Sequence, residues 1–145
     1  VTQALEDIPG TFVVSPVKVL TFTCIGSVDD GSIPDTAISA VNTTAISGYY
    51  LYTVTANPGG TAPDAADVFL IDAAGEDLLG SVDGGTTANK GLNLIHATLT
   101  KTTKPFTHYL AQHYYPLMAG GAITLRVTNQ GTVSATYTIT LIFAR

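Results

Sequence analysis

Cysteine, tryptophan and charged residues are scarce in this chain of 145 residues. Its single cysteine, Cys24, excludes an intramolecular disulfide and any metal site built from several thiolates. Cys24 lies in the apolar run from Leu20 to Ile25, which predicts a buried thiol that packs as a small hydrophobic side chain. Charged residues make up 12% of the chain and hydrophobic residues 46%, a composition that excludes intrinsic disorder.

The few charges also limit the kinds of partner. Six Lys and Arg against eleven Asp and Glu give a formal net charge of -5. A protein that neutralises many phosphates needs a basic face, and six scattered basic residues do not supply one. No apolar run approaches the roughly 18 residues that a membrane-spanning helix needs. We therefore expect a domain that binds neither nucleic acid nor membrane.

Threonine, by contrast, is abundant, with 23 residues, and together with Val, Ile, Tyr and Phe it favours β-strands. In Val133–Phe143 the odd positions are apolar, and the even positions are Ser or Thr as far as Ile142. This period of two predicts a strand with one face in a core and the other on a polar surface. Residues 123–128 alternate in the same way, and Asn129–Gly131 would form the turn, so the pattern predicts a hairpin.

A second pair of strands is predicted at 49–56 and 67–72, on either side of a Pro- and Gly-rich loop at 57–64. The first of these strands carries aromatic residues on both faces, which predicts that it is covered on both sides. The two predicted faces are Tyr50, Tyr52 and Val54, and Tyr49, Leu51 and Thr53. Further strands are predicted at 17–25 and 92–99, and Gly-, Asp- and Ser-rich loops at 29–36 and 80–91.

These elements add up to about eight strands separated by short turns, which predicts an all-β fold, an antiparallel β-sandwich of jelly-roll type. Residues 105–118 are ambiguous, because their apolar residues fit a helical stripe as well as a strand with a loop. We expect a single β-sandwich domain at 17–145, preceded by an N-terminal arm or edge segment at 1–16. That segment is too apolar for a free tail, and Pro9, Gly10 and Pro16 interrupt regular pairing.

No set of residues predicts catalysis or a cofactor. The spacing of His108 and His113 places them on opposite faces of a strand, unlike the histidine pairs of zinc sites, and His96 lies apart. There is no nucleophile elbow and no phosphate-binding loop. Two acidic sets offer oxygen ligands for calcium, but Asp in Gly- and Ser-rich loops more often makes turns. The sets are Asp29, Asp30 and Asp35, and Asp64 and Asp67. We expect no enzyme, no metal and no cofactor.

Several stretches of the chain resemble a known class of proteins. They are Gly48–Val54 followed by Asn57–Gly59 and Ala62–Pro63, Ala66–Asp72 with Gly75–Gly80, Tyr115–Leu117, Gly121–Asn129 and the final Thr-rich strand. Over about residues 48–143 the chain resembles small β-rich virion proteins from the head-gene module of tailed bacteriophages, which include capsid decoration or cement proteins.

The resemblance implies a homotrimer on the outer capsid surface of the virion that stabilises the phage head by binding the lattice of the major capsid protein. An alternative is a receptor- or carbohydrate-binding β-sandwich module of a tail fibre or cell surface. Tyr is favoured at interfaces, and an apolar arm with interrupted pairing is typical of a segment that lies along a neighbouring molecule. We therefore expect partner or oligomer contacts from two regions. They are Leu5, Ile8 and Phe12 in the N-terminal segment, and Tyr109, Tyr114 and Tyr115. Alternatively, Phe12–Val14 form an edge strand of the sandwich.

The alternation in the last strand can be tested by placing a charge on each face. Ile139→Asp should lower the free energy of unfolding by several kcal/mol more than Thr138→Asp, because only the first buries an unpaired charge. Thermal denaturation followed by circular dichroism measures both. Equal effects on melting would mean that the two faces are assigned wrongly.

Overall fold

The computed structural model describes residues 1–8, 16–75, 77–79, 101–103, 108–110, 113–115 and 121–145. Within them the fold is all-β, with antiparallel strands and one short helix, as the composition predicts. The helix is α1 (Ala40–Ile46). The strands are β1 (Thr2–Ile8), β2 (Val17–Ile25), β3 (Thr36–Ala37), β4 (Tyr50–Pro58), β5 (Asp67–Ile71), β6 (Lys101–Thr103), β7 (His108–Leu110), β8 (His113–Tyr115), β9 (Thr124–Thr128) and β10 (Thr136–Ala144).

The strands form two sheets and a separate hairpin. Five strands make the large sheet, in the order β1-β2-β10-β4-β6, and three make the small sheet, in the order β3-β9-β5. Strands β7 and β8 pair only with each other among the described residues. Every described pair of neighbouring strands is antiparallel.

One hydrophobic core receives side chains from both sheets. The inner face of the large sheet is fully buried along β10, where the alternation predicted from the sequence is confirmed. Ile139 is 0% exposed, whereas its neighbour Thr138 is half-buried on the opposite face. The small sheet contributes the alternate residues of β5 and β9. The largest fully buried side chains of this core are Phe22, Leu20, Val54, Leu70, Leu125, Tyr137, Ile139, Leu141 and Phe143 from the strands, and Ile46 from α1. Phe69 of β5 is also fully buried but does not belong to this cluster.

The predicted hairpin of residues 123–128 with 133–143 is wrong, because the two strands belong to different sheets. β9 pairs with β3 and β5, whereas β10 pairs with β2 and β4. Alternation shows that each strand has a buried face, but it does not show which strand lies beside it. The connection is also longer than a tight turn, since residues 129–135 separate the two strands, and within it Asn129 and Ser134 have a positive φ, of 57° and 54°. It carries the chain from the small sheet to the large one.

The predicted pairing of 49–56 with 67–72 fails for the same reason, since β4 lies in the large sheet and β5 in the small one. The predicted faces of β4 are also wrong, because its register against β10 shifts between Ile142 and Phe143. The shift leaves Tyr52 as the extra residue of a β-bulge, which breaks the period of two. Leu51, Val54 and Ala56 therefore share the buried face, and the tyrosines of this strand are exposed.

Other sequence predictions have mixed outcomes. The strand at 17–25 is confirmed as β2, and 29–36 is a loop apart from the start of β3. Within 105–118 the described residues form the short strands β7 and β8 and no helix. The predicted strand at 92–99 and loop at 80–91 lie outside the described residues. The helix α1 was not predicted; its first turn is capped by Ser39, whose side chain accepts the N–H of Asn42 at 3.3 Å.

The first residues of the chain form an edge strand of the large sheet. β1 pairs with β2 over all seven of its residues, from Thr2 opposite Thr23 to Ile8 opposite Val17. The side chain of Gln3 donates to the carbonyl of Ala37 at 2.6 Å and accepts from the N–H of Ser39 at 3.1 Å. These bonds tie β1 to the segment that follows β3, so β1 contacts parts of the chain beyond its own sheet.

The side chain of Gln130 holds three loops together at one end of the core. It is only 8% exposed, and its amide donates to the carbonyls of Gly31 at 3.0 Å and Thr132 at 2.6 Å. Its oxygen accepts from the N–H groups of Asp64 and Thr132, both at 3.2 Å. The loops approach closely at Gly31, which has a φ of 73°, and a Cβ there would lie 2.5 Å from the backbone carbon of Gly131.

Removal of the Gln130 side chain should therefore loosen this junction. We expect Gln130→Ala to lower the free energy of unfolding by about 2 kcal/mol, because buried polar groups of three loops lose their partners. Val133→Ala is the control in the same connection, where a side chain that is 48% exposed should cost less than about 0.5 kcal/mol. Urea denaturation measures both variants. Equal midpoints would show that the junction does not depend on Gln130.

Candidate binding surface

The outer face of the large sheet is the broadest described surface on regular secondary structure. It consists of the residues of β1, β2, β4 and β10 that point away from the core. They are Thr2, Ala4, Glu6 and Ile8; Val17, Val19, Thr21, Thr23 and Ile25; Tyr50, Tyr52, Thr53, Thr55 and Asn57; and Thr136, Thr138, Thr140, Ile142 and Ala144. We refer to this set as the outer face.

Threonines on this face lie in register across neighbouring strands. Thr140 in β10 stands opposite Thr21 on one side and Thr55 on the other, and Thr138 stands opposite Thr23. Adjacent strands in a sheet are about 4.8 Å apart, so the hydroxyl-bearing side chains form cross-strand rows. β-Branched side chains are stiff at χ1, and such rows make a surface with little conformational freedom to lose on binding.

The outer face carries a single charged side chain, that of Glu6, although the chain has 17 Asp, Glu, Lys and Arg residues (6 + 11). It also exposes apolar side chains: Ile8 is 50%, Ile25 58%, Tyr50 40% and Tyr52 56% exposed. Interface cores are depleted in charge and enriched in Tyr and other apolar side chains. The outer face shares with interface cores the scarcity of charge and the exposed Tyr side chains.

Two of the residues expected to make partner contacts are described in β1, on opposite faces of that strand. Leu5 is half-buried and packs against the hydrophobic core, which limits what it can offer to a partner. Ile8 lies on the outer face at one end of the sheet. Phe12, the third expected residue of this segment, lies outside the described residues.

The three tyrosines expected to make contacts come together in the β7–β8 hairpin. Tyr109 in β7 pairs with Tyr114 in β8, and Tyr115 pairs with His108. His113 stands opposite Leu110, so the two histidines occupy different positions of the ladder. Only the backbone of this hairpin is described, and the contact role of these tyrosines stays a prediction.

Sequence reasoning missed the exposed side chains of β4 and β2 as candidate contacts. Tyr50 and Tyr52 were assigned to the same face as the buried Val54, because the bulge in β4 has no signature in the residue pattern. Ile25 ends an apolar run in which the even-numbered residues are buried. Because Ile25 is odd-numbered, like Thr21 and Thr23, the period of two could have placed it on the outer face.

The acidic residues considered as calcium ligands are used within the fold. Asp30 accepts the N–H of Ser32 at 2.9 Å, and hydrogen bonds from Ser32 hold the pKa of this exposed carboxyl below its usual value. Asp64 accepts the N–H of Gly131 at 3.1 Å, which is the main cause that lowers its pKa. Among the described residues no three His, Cys, Asp or Glu side chains are grouped closely enough to hold a metal ion.

Two further acids of those sets, Asp35 and Asp67, pair with side chains of the small sheet and its connection. Asp35 forms an ion pair with Arg126 at 2.9 Å. Asp67, which is 4% exposed at the start of β5, accepts a hydrogen bond from the amide of Asn129. These carboxylates serve turns and ion pairs, in line with the turn chemistry expected of Asp in such loops.

A second polar cluster lies beside Tyr49, which is 8% exposed just before β4. The ammonium of Lys18 lies 5.3 Å from the centre of the Tyr49 ring and forms an ion pair with Asp7. The guanidinium of Arg145 lies 5.2 Å from the same ring. Cation–π contacts of this kind stabilise a buried ring and place both cations away from the outer face.

Cys24 is buried as predicted, with 0% exposure, and burial raises the pKa of its thiol to about 12. Tyr137 stands opposite Cys24 in the β2–β10 pair. The hydroxyl of Tyr137 is buried without a hydrogen-bond partner among the described residues. Desolvation raises the pKa of this hydroxyl above its usual value, and the neighbouring Cys24 raises it to a lesser extent. A neutral thiol in an apolar core is a poor nucleophile.

The burial of Cys24 predicts slow alkylation. At pH 8 the native thiol should react at least ~100-fold more slowly with iodoacetamide than in denaturing urea, since reaction requires opening of the core. Because the folded-state pKa lies above the unfolded value of 9.0, the thiol contributes stability below pH 9.0 that is lost as the pH rises towards about 12. Alkylation of the native protein at the rate of a free cysteine would contradict this burial.

Comparisons with known proteins do not assign a family. The chain matches no protein-family model and no curated protein. Among the described residues there is no helix with the length and hydropathy needed to cross a bilayer. The functional conclusion therefore depends on the residues and on the geometry of the outer face.

Proposed function

We propose that the protein is a structural virion protein of the capsid cement or decoration class, which binds the lattice of the major capsid protein from outside. The observation that carries the proposal is the outer face of the large sheet, a broad strand-built surface with one charged side chain, Glu6. A protein that stabilises a shell needs contact area, and it needs no catalytic group. The resemblance of residues 48–143 to phage head proteins implies that the partner is the major capsid protein.

We propose further that the two sheets form a β-sandwich of jelly-roll type. Strands β2, β4 and β10 lie in the large sheet, whereas β3, β5 and β9 lie in the small one. From β2 to β5 the chain thus changes sheet at each step, and it changes again from β9 to β10. Both sheets supply one core cluster, and changes of sheet of this kind are typical of jelly rolls.

A capsid lattice favours weak, repeated contacts over one strong site. A protein present in many copies on a regular shell can rely on avidity, provided that each copy offers a rigid and complementary face. The outer face has stiff β-branched side chains across its centre and exposed apolar side chains such as Ile25 and Tyr52 towards its ends. Few charges have to be desolvated when such a face is covered.

A charge placed on the outer face tests this proposal. Ile25→Glu should weaken binding to phage particles stripped of this protein by about tenfold or more, because it buries a carboxylate in the contact. Val41→Glu is the matched control, since it also replaces an exposed aliphatic residue, 78% exposed on α1 against 58% for Ile25. Co-sedimentation with the particles measures binding, and thermal denaturation checks that both variants fold.

Two results decide the outcome. Weakening by Ile25→Glu alone, together with hundreds of copies per virion by mass spectrometry, supports a cement protein that binds through the outer face. No binding of the wild-type chain to stripped particles would overturn the proposed function. Equal effects of the two variants would show that the contact lies elsewhere.

A second candidate function is a carbohydrate- or receptor-binding module of a tail fibre or cell surface. Tyr50 and Tyr52 favour it, because both are exposed on β4 and neighbouring tyrosine rings offer a platform on which a sugar can stack. Binding of the wild-type chain to immobilised glycans, lost in Tyr52→Ala, together with no binding to particles, would favour this alternative over the shell.

A further inference from the structure

Among the described residues, β1 is the last strand on one side of the large sheet. Each of its seven residues pairs with β2 on one side, and among the described residues no strand pairs with it on the other. An edge strand presents a row of unpaired N–H and C=O groups, which is a template for another strand. Within the described part of the chain, the unpaired edge of β1 thus offers backbone groups, which are distinct from the side chains that make up the outer face.

The usual devices that protect an edge are few in β1. The strand contains no proline, and its register with β2 runs without a bulge from Thr2 to Ile8. Only Glu6 and Asp7 place charges along it, and Asp7 is paired with Lys18 of the neighbouring strand. A regular edge of this length can accept an extended strand over its whole length.

Charge and strand length together select the arrangement in which two copies of β1 can meet. In an antiparallel pair centred on Leu5, Glu6 stands opposite Ala4 and Asp7 opposite Gln3, so that each acid meets a neutral residue. In a pair centred on Glu6, this residue would instead face its own copy, and like charges directly opposite are destabilising. The arrangement centred on Leu5 is also the one in which all seven residues pair.

The same arrangement joins side chains that a monomer leaves partly exposed. Leu5 of one copy meets Leu5 of the other on the core side of the sheet, where each is half-buried against its own core. On the other side Ile8 stands opposite Thr2, which continues the outer face of one copy into that of the next. The closed two-fold contact leaves no free β1 edge.

We propose that β1 pairs with β1 of a second copy of this chain about a two-fold axis centred on Leu5. The two large sheets, of five strands each, then form one continuous sheet. The proposal replaces the homotrimer implied by the resemblance with a dimer, and it is independent of the proposed function, because particle binding is measured separately. The contact is made through the backbone edge of β1, and the side chains of Thr2, Ala4, Glu6 and Ile8 beside it belong to the outer face.

Substitutions of Ala4 with opposite charges test the arrangement. Ala4 is exposed and stands opposite Glu6 in the pair, twice in each dimer. Ala4→Glu should raise the dimer dissociation constant about tenfold through like-charge repulsion, and Ala4→Lys should lower it several-fold by pairing with Glu6. Sedimentation equilibrium of the full chain over a range of concentrations measures both constants.

Val28→Glu is the control, since this residue is 76% exposed in the loop after β2 and should leave the dissociation constant unchanged. All three variants should keep the melting temperature of the wild type at a concentration where it is monomeric. The proposal is supported if the dimer is most stable with Lys at position 4, less stable with the native Ala and least stable with Glu. A monomer at all concentrations, a trimer, or a dimer that ignores the charge at position 4 would overturn it.

Discussion

The fold depends on β10, the central strand of the large sheet, which is bonded along both edges and buried along one face. Its nine residues pair with β2 on one side, and all but one of them with β4 on the other, so its register determines where both neighbours lie. Its inner face supplies Tyr137, Ile139, Leu141 and Phe143, each at most 1% exposed. A strand so constrained tolerates no slip, because a shift of one residue would turn its threonines into the core.

This constraint explains which features could be predicted from the sequence. The alternation in β10 and β9 is a local property, and it predicted their buried faces correctly, while for 17–25 the sequence predicted the strand β2 without its faces. Which strands are neighbours is not local: β10 pairs with β2, more than a hundred residues earlier in the chain, and not with β9. A Gly-containing connection between two alternating strands favours a hairpin on pattern alone, whereas here it crosses between two sheets.

The candidate site was less predictable than the fold, because it depends on a bulge and on contacts between distant parts of the chain. The bulge at Tyr52 exposes tyrosines that a strict period of two had placed with Val54 on a covered face. The junction at Gln130 looks like ordinary turn residues in the sequence, because its partners Gly31 and Asp64 come from distant loops. Pairing of Leu5 with β2 likewise required the long-range register, since the residues of β1 are only weakly patterned.

The placement of the few charges connects the fold with its proposed role. Asp35 and Arg126 pair beside the small sheet, Asp7 and Lys18 pair beside Tyr49, and Asp64 is held by the loops around Gln130. The outer face is left with stiff hydroxyl-bearing and apolar side chains and with Glu6 as its one charge. Association through such a face draws little on charge attraction, so its strength must come mainly from area and fit. A repeated lattice supplies that condition, because it multiplies a modest contact over many copies.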